Sequence, residues 1–216
     1  MKNSKNIFSS LRQSFLITFV LMIICGLLFP LVLTGMSSVL FAEKANGSII
    51  DINDKKYGSK IVGQEFKENY YMWSRPSSVK YDIFIEDNNG NQTYTNGEKF
   101  NGVSSGSQNL APSNPDLAKR VEEGMTAFLK ANPDVKQSEI PADLLTASGS
   151  GLDPHISYQS ALIQISRIVK YSGLDEAKIK SIVEKNTENK LFGVFGEKVV
   201  NVLGVNIDIA KEINKL

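Results

Sequence analysis

Apolar and polar positions divide the chain into two regimes. Residues 13–42, QSFLITFVLMIICGLLFPLVLTGMSSVLFA, carry no charged side chain. As a helix this run spans about 45 Å, more than the roughly 30 Å hydrocarbon core of a bilayer. It shows no polar face, which argues against a buried core helix of a soluble protein. Its length is about twice that of a cleaved signal's apolar core, and its exit Ser38-Val39-Leu40-Phe41-Ala42 offers no good Ala-x-Ala match, so it reads as an uncleaved anchor. Pro30 removes one backbone donor inside the run and can kink it. Gly26 and Gly35, with Thr34, Ser37 and Ser38, let another helix approach closely. The expectation is a membrane helix that packs on partner helices through Gly26, Pro30 and Gly35.

Beyond residue 42 the pattern is that of a mixed domain. Residues 43–58 are polar and read as a linker with a turn at Asn46-Gly47. Lys60–Phe66 is a strand or a tight turn. Tyr70–Pro76 is aromatic and β-prone, with Pro76 as its stop. A polar section from 82 to 110 contains the turn dipeptides Asn89-Gly90 and Asn96-Gly97 around Gln92–Thr95, which predict a hairpin-like excursion near 84–100. Ser104–Asn109 is a loop. Asn114 and Pro115 open a helix whose apolar positions are Leu117, Val121, Met125, Phe128 and Leu129, and Asn132-Pro133 closes it. Pro141–Ser148 is a short strand candidate. Ser157 caps a second helix, with Ala161, Leu162, Ile165, Ile168 and Val169 inward and Gly173 at its end. A third helix follows over Asp175–Asn186. In the tail, Val199–Val205 is a strand, or Asn201 caps a helix that buries Val202, Val205, Ile209 and Ile213. The class is α+β: one N-terminal membrane helix followed by a single α+β domain.

Charge sets the orientation. Lys2, Lys5 and Arg12 precede the run with no acidic residue before Glu43, which predicts a cytoplasmic head (1–12) and an extracytoplasmic domain (43–216) on a single-pass protein of the cytoplasmic membrane. The head takes three of the 24 Lys and Arg, leaving 21 against 23 Asp and Glu, a net of about −2. That balance provides no electrostatic footprint for nucleic acid. The one cysteine, Cys25, lies in the apolar run, so the domain is held by its core without disulfides.

Few residues suggest chemistry. His155 is the one histidine, and a Ser-His-Asp triad assembles from separate elements, whereas Asp153, His155 and the nearby serines share one loop. A turn capped by Asp153 is the plainer reading. One histidine and a membrane cysteine supply no zinc site. Asp82, Glu86, Asp87 and Asn88 lack the ligand order of an EF-hand. There is no Walker A pattern and no aspartyl-phosphate motif, and the apolar run carries no charge to line an ion path. The glycine-serine loop 104–109 is of a kind that can wrap phosphate through backbone N–H groups, though such loops are commonly plain turns.

Several strings, in order, resemble the C subunit of the Kdp-type potassium-transporting P-type ATPase. They are Ile61–Gln64 with Phe66; Tyr71 with Ser74–Ser77; Ser104–Leu110; Pro112–Pro115; Pro141–Leu144; TASGSGLDPHIS at Thr146–Ser157; and Phe192-Gly193, Gly196-Glu197 and Val200–Leu203 with Asn206. The likeness covers nearly the whole chain, departing at residues 84–100 and at Gly204, where such proteins carry a charged or bulky residue. It implies an accessory, non-hydrolysing subunit of a high-affinity potassium importer, with a potassium-translocating and an ATP-hydrolysing subunit as partners. It also implies a catalytic chaperone that raises the ATP affinity of the hydrolysing subunit, with Ser105, Gly106, Ser107 and Gln108 near nucleotide. No stably bound cofactor is expected, and ATP only as a transient complex. The expected topology places this loop across the membrane from ATP, so the effect on ATP is expected to pass through other subunits. The docking candidates are Ser74, Arg75, Pro76, Asn109, Pro112, Asn114, Thr146, Ser148, Asp153 and His155. The rival readings are an anchored extracytoplasmic sensor and an exported hydrolase.

Overall fold

A computed structural model describes residues 2–87, 90–94 and 97–215, with side chains from residue 7 onward. The side chains of Lys2 and Lys5, and Asn88, Asn89, Thr95 and Asn96 of the expected hairpin, lie outside the described residues. The chain divides into two units, 1–49 and 50–216.

The first unit is helical: α1 (Lys2–Ile23), a π-helical turn (Ile24–Leu28), α2 (Phe29–Leu40) and the short α3 (Ala42–Ala45). Ile7–Leu40 is long and apolar enough to cross a membrane, and none of its side chains is buried. The π turn has a local cause. Pro30 has no N–H to offer the Gly26 carbonyl, and its ring crowds that carbonyl. The ladder shifts ahead of it, so that the Phe29 N–H bonds to the Ile24 carbonyl, five residues back.

The domain begins with a hairpin that sequence reading assigned to a linker. β1 (Ile49–Ile52) and β2 (Lys55–Ser59) flank Asn53-Asp54, both left-handed at φ 55° and 62°. This is a primed hairpin turn, and Asn-Asp is a weaker signal for it than Asn-Gly. The excursion is a hairpin as expected, with β3 (Phe84–Glu86) antiparallel to β4 (Gln92–Tyr94). Phe84, Tyr94 and Phe100 cluster on it, Phe84 and Phe100 stacking at 4.6 Å.

The core forms where helices meet a small sheet. α4 (Pro115–Ala131) is capped by Asn114, whose side chain accepts from the Asp116 N–H. β5 (His155–Ser157) leads into α5 (Tyr158–Leu162), and after a break at Ile163-Gln164 comes α6 (Ile165–Ser172), closed by Gly173 at φ 75°. α7 (Glu176–Lys185) is capped by Asp175. Then come β6 (Thr187–Glu188), β7 (Val199–Asn201) and α8 (Val202–Glu212). The antiparallel sheet runs β5-β7-β6, pairing Ile156 with Val200 and Thr187 with Val200 on its other side. Both tail readings hold in part: Val199–Asn201 is a strand, and Asn201 caps the helix by accepting from the Gly204 N–H. A Cβ at Gly204 would lie 2.2 Å from Asn186 Oδ1, which is the physical reason for glycine there. Ile156, Ile168, Ile179, Val200, Val205 and Ile209 make the centre of the core, all at most 1% exposed.

Two strand expectations are corrected. Pro141–Ser148 is a 3₁₀ turn at Ala142–Leu144, because Thr146 donates to the Ala142 carbonyl and the consecutive Leu144 and Leu145 are both buried, which a two-residue period does not allow. Tyr70–Pro76 belongs to no sheet. Its backbone is paired by buried side-chain amides instead. Asn206 accepts from the Met72 N–H at 2.7 Å and donates to the Met72 carbonyl at 2.9 Å. Gln164 does the same for Trp73, at 2.8 and 3.2 Å. Arg167, 3% exposed, donates to the carbonyls of Asn69 (2.6 Å) and Tyr71 (2.9 Å), to Asn132 and to Gln164, and lies 4.5 Å from the centre of the Trp73 ring. Burial pushes its pKa down to about 10, so it stays charged at neutral pH.

Candidate functional site

Three loops far apart in sequence close into one seam. The central loop of it is Ser148–His155, with Arg75–Ser78 on one side and Ser104–Gly106 on the other. Ser77 Oγ donates to the Gly151 carbonyl at 2.7 Å. The Gly106 N–H donates to the Ser150 carbonyl at 2.7 Å, and Ser105 Oγ to the same oxygen at 3.1 Å. Ser78 Oγ returns a bond to the Gly106 carbonyl. The Gly63 N–H donates to the Leu152 carbonyl at 2.8 Å. Gly151 has φ +69°, and a Cβ on it would meet Gly106 O at 2.8 Å, so the close approach needs glycine twice over.

An ion pair fixes one end of the seam. Arg75 Nη1 lies 2.9 Å from Asp153 Oδ2, both side chains about a quarter exposed. Asp153 Oδ1 accepts from the His155 N–H at 3.0 Å and lies 3.7 Å from His155 Nδ1. His155 Nε2 is 3.8 Å from Glu188 and 3.5 Å from Asn201 Nδ2. The His155 side chain holds the Asp153 carboxyl below its ordinary range; burial opposes this, and the His155 N–H and Arg75 reinforce it. The hydroxyls near His155 are engaged elsewhere: Ser157 caps α5 and bonds Asp143 and Ser160, and Ser148 lies 3.4 Å from Ser150. Among the described contacts no serine is bonded to His155.

Behind Arg75 lies a cavity of about 600 Å³, lined by Phe66, Trp73, Arg75, Tyr81, Phe128 and Leu144 among others. Tyr81 donates to the Arg75 carbonyl at 2.6 Å. Burial pushes its pKa to about 12, with Ser74 acting in the other direction. Lys80, Tyr81 and Asp82 are all left-handed, at φ 52°, 54° and 51°. Ser77 Oγ holds this turn by accepting from the N–H groups of Val79 (3.2 Å) and Tyr81 (2.9 Å). Sequence reasoning missed Tyr81, Ser78 and Gln164, and met Asn206 only as part of a resemblance string. The sequence holds no local signal for a left-handed turn at Lys-Tyr-Asp or for an amide buried across the core.

The structure brings together Ser74, Arg75, Pro76, Ser105, Gly106, Ser148, Asp153 and His155. Ser107 accepts from the Asn109 N–H, and Gln108 accepts from Arg120 at 2.8 Å. Thr146 closes its own 3₁₀ turn. Asn114 caps α4 and Pro112 is exposed just before it, and neither reaches the seam among the described contacts. Gly26, Pro30 and Gly35 lie in the helical unit, with nothing within 4 Å of a Cβ at either glycine. Among the described residues no group of three or more His, Cys, Asp or Glu is placed to hold a metal ion.

The family model described as K+-transporting ATPase, c chain, matches residues 11–211. The chain is 52% identical over 206 residues to a potassium-transporting ATPase KdpC subunit of Clostridium kluyveri, covering 95% of each chain. It is 50% identical over 207 residues to that of Clostridioides difficile, covering 94% of this chain and 97% of the relative. A Bacillus cereus KdpC subunit is 40% identical over 197 residues, covering 90% and 92%. The strings that carry the resemblance thus fall within one match that spans both the apolar helix and the domain, and this chain belongs to the KdpC family, the c chain of the K+-transporting ATPase.

Proposed function

We propose that this chain is the accessory, non-hydrolysing subunit of an ATP-driven potassium import complex. It is a single-pass protein of the cytoplasmic membrane, with the 1–12 head in the cytoplasm, residues 13–42 in the bilayer and 43–216 outside. There it assembles with a potassium-translocating and an ATP-hydrolysing subunit, and it raises the ATP affinity of the latter from a distance. It holds no resident cofactor and takes no nucleic acid, and ATP meets it only transiently through the hydrolysing subunit. The family match over residues 11–211 carries this reading.

The state of the glycine-serine loop supports action at a distance. The Gly106 N–H and the Ser105 hydroxyl are bonded to Ser150 and brace the seam, and Gln108 Oε1 is bonded to Arg120 on α4, so these groups are engaged within the chain. The domain then acts by contacts that differ between pump states, which is what shifting an equilibrium requires. Arg75, Pro76, Asp153 and His155 are the residues for those contacts. The cavity beside Arg75 favours a second reading, an anchored ligand-binding sensor, which would stand alone without partners.

One experiment separates these. Ser107→Cys in a Cys25→Ser background is labelled with a membrane-impermeant thiol reagent in potassium-starved whole cells, and the chain is then isolated in mild detergent. Labelling from outside is expected, with two larger membrane proteins co-isolated. Labelling that appears only after lysis reverses the orientation, and isolation of the chain by itself sinks the subunit reading.

A further inference from the structure

The π turn ahead of Pro30 leaves one backbone acceptor short. In an α-helix the Cys25 carbonyl takes the Phe29 N–H; here that N–H goes to Ile24 instead. The next donor along is position 30, and Pro30 has no N–H. Leu31 lies six residues on, beyond the five-residue reach of a π bond. A bond back from Leu28 would be of the tight 3₁₀ kind, opposite to the widening of the helix there. The Cys25 carbonyl is thereby left without a main-chain donor, and no nearby side chain replaces it. Ser38 shows how a hydroxyl does so from four residues on, donating to the Thr34 carbonyl at 2.8 Å. The positions from which a hydroxyl would reach the Cys25 carbonyl hold Leu28 and Phe29, and the nearest hydroxyls, Thr18 and Thr34, stand seven and nine positions away. The Cys25 thiol leans toward the N-terminus, away from its own carbonyl.

Depth makes the missing bond costly. Cys25 is twelve residues, about 18 Å of helix, into the uncharged run that starts at Gln13. That run, about 45 Å long, exceeds the hydrocarbon core by about 15 Å, so Cys25 is inside the core wherever the core falls on it. Water does not reach a carbonyl there, and acyl chains donate nothing. We propose that the Cys25 carbonyl accepts a hydrogen bond from a hydroxyl, amide or indole N–H on a membrane helix of a different chain, an inference that rests on the subunit reading above. A second copy of this chain is the poorer donor. Copies inserted with one orientation lie parallel, so level with Cys25 each offers only another thiol, a weak donor, and the nearest hydroxyls are about 10 and 13 Å away along the axis. A stagger that aligned them would carry Arg12 or Glu43 toward the hydrocarbon. Gly26, the next residue, has no side chain and nothing within 4 Å of the place for one, so an incoming helix reaches the carbonyl.

Cys25 is the one cysteine, so cysteine carrying carbon-13 at its carbonyl labels that single group in the full chain. The labelled chain is combined with unlabelled partner subunits in bilayers and read by solid-state carbon NMR. Its carbonyl resonance is expected to move downfield on assembly, and to stay in place in the chain alone at every protein-to-lipid ratio. Phe29→Thr brings a hydroxyl within reach of the Cys25 carbonyl from inside the helix. It is expected to recover about five-fold less complex than Phe29→Val, a side chain of the same shape. Three results overturn the shared hydrogen bond while co-isolation of the wild type keeps the subunit reading: a resonance that does not move on assembly, one that moves in the chain alone as the ratio rises (a second copy as donor), or equal recovery of the two variants. A wild-type chain that assembles with nothing overturns both.

Discussion

A methyl group added at Gly151 would place a carbon 2.8 Å from the Gly106 carbonyl oxygen and 2.9 Å from Val79 Cγ2, at a backbone angle L-residues avoid. Gly151→Ala is therefore expected to cost about 2–3 kcal/mol of stability, read by thermal or chemical unfolding of the chain in detergent. Gly149, with nothing within 4 Å of its Cβ and no positive φ, is the internal control, and Gly149→Ala should be near neutral. Asp153 makes the second residue-scale prediction. Its carboxyl is lowered in the folded chain by the His155 side chain, with Arg75 adding to the effect. The sign follows: the stabilisation is present above the ordinary value of 3.8 and is lost as pH falls through the lowered value. Asp153→Asn should remove that acid limb from the pH profile of stability and leave the rest of the profile in shape. The string Thr146–Ser157 stood out in the sequence through the family resemblance it carries. Arg75 as the partner of Asp153 did not, because nothing local relates residues 78 positions apart.

At the scale of elements, local chemistry was legible and cross-core pairing was not. The caps at Asn114, Ser157 and Asn201 and the stop at Gly173 all depend on a few adjacent residues, and all are present. The aromatic stretch at 70–76 reads as a strand because its side chains suit one. Its hydrogen-bond partners are instead amides from Asn206 and Gln164, more than 90 positions away for each bond. Asn206→Leu keeps the volume near constant while leaving the N–H and carbonyl of Met72 buried without that partner. We expect a loss of about 3 kcal/mol, measured as a shift in unfolding midpoint with unchanged denaturant dependence. In the helical unit, Pro30 was read as a kink, and the π turn ahead of it shows the form the adjustment takes.

For the whole molecule, the division at residue 49 and the membership of the core make a further prediction. The buried cluster and the hydrophobics packed on it run from Phe66 to Ile213. A fragment of residues 46–216 should fold without the apolar helix, unfolding in one cooperative step with helical circular dichroism in detergent-free buffer. A fragment that is unfolded, or that unfolds gradually, contradicts the division. Two-regime organisation was visible in the sequence because a charge-free run of this length has few other uses. The class of the domain followed from the helix periods in its second half. The seam was visible as three separate strings without their mutual contact, since hydrophobic period reports which face is inward and says nothing of which loops meet.

The amide clamps on Met72 and Trp73 also govern how this chain can vary in length. A strand in a sheet can lose or gain a residue by bulging or slipping along its neighbour. This segment has no neighbour to slip along: Asn206 and Gln164 each grip one particular residue, and Ser77 grips Gly151 four residues on. Chain length between 72 and 77 is thus held at both ends, and a single insertion there disengages either the core clamps or the seam. The hairpin at 84–94, bonded largely to itself, can absorb insertions freely. Length variation among homologous chains should therefore gather in that hairpin and spare the six residues from Met72 to Ser77.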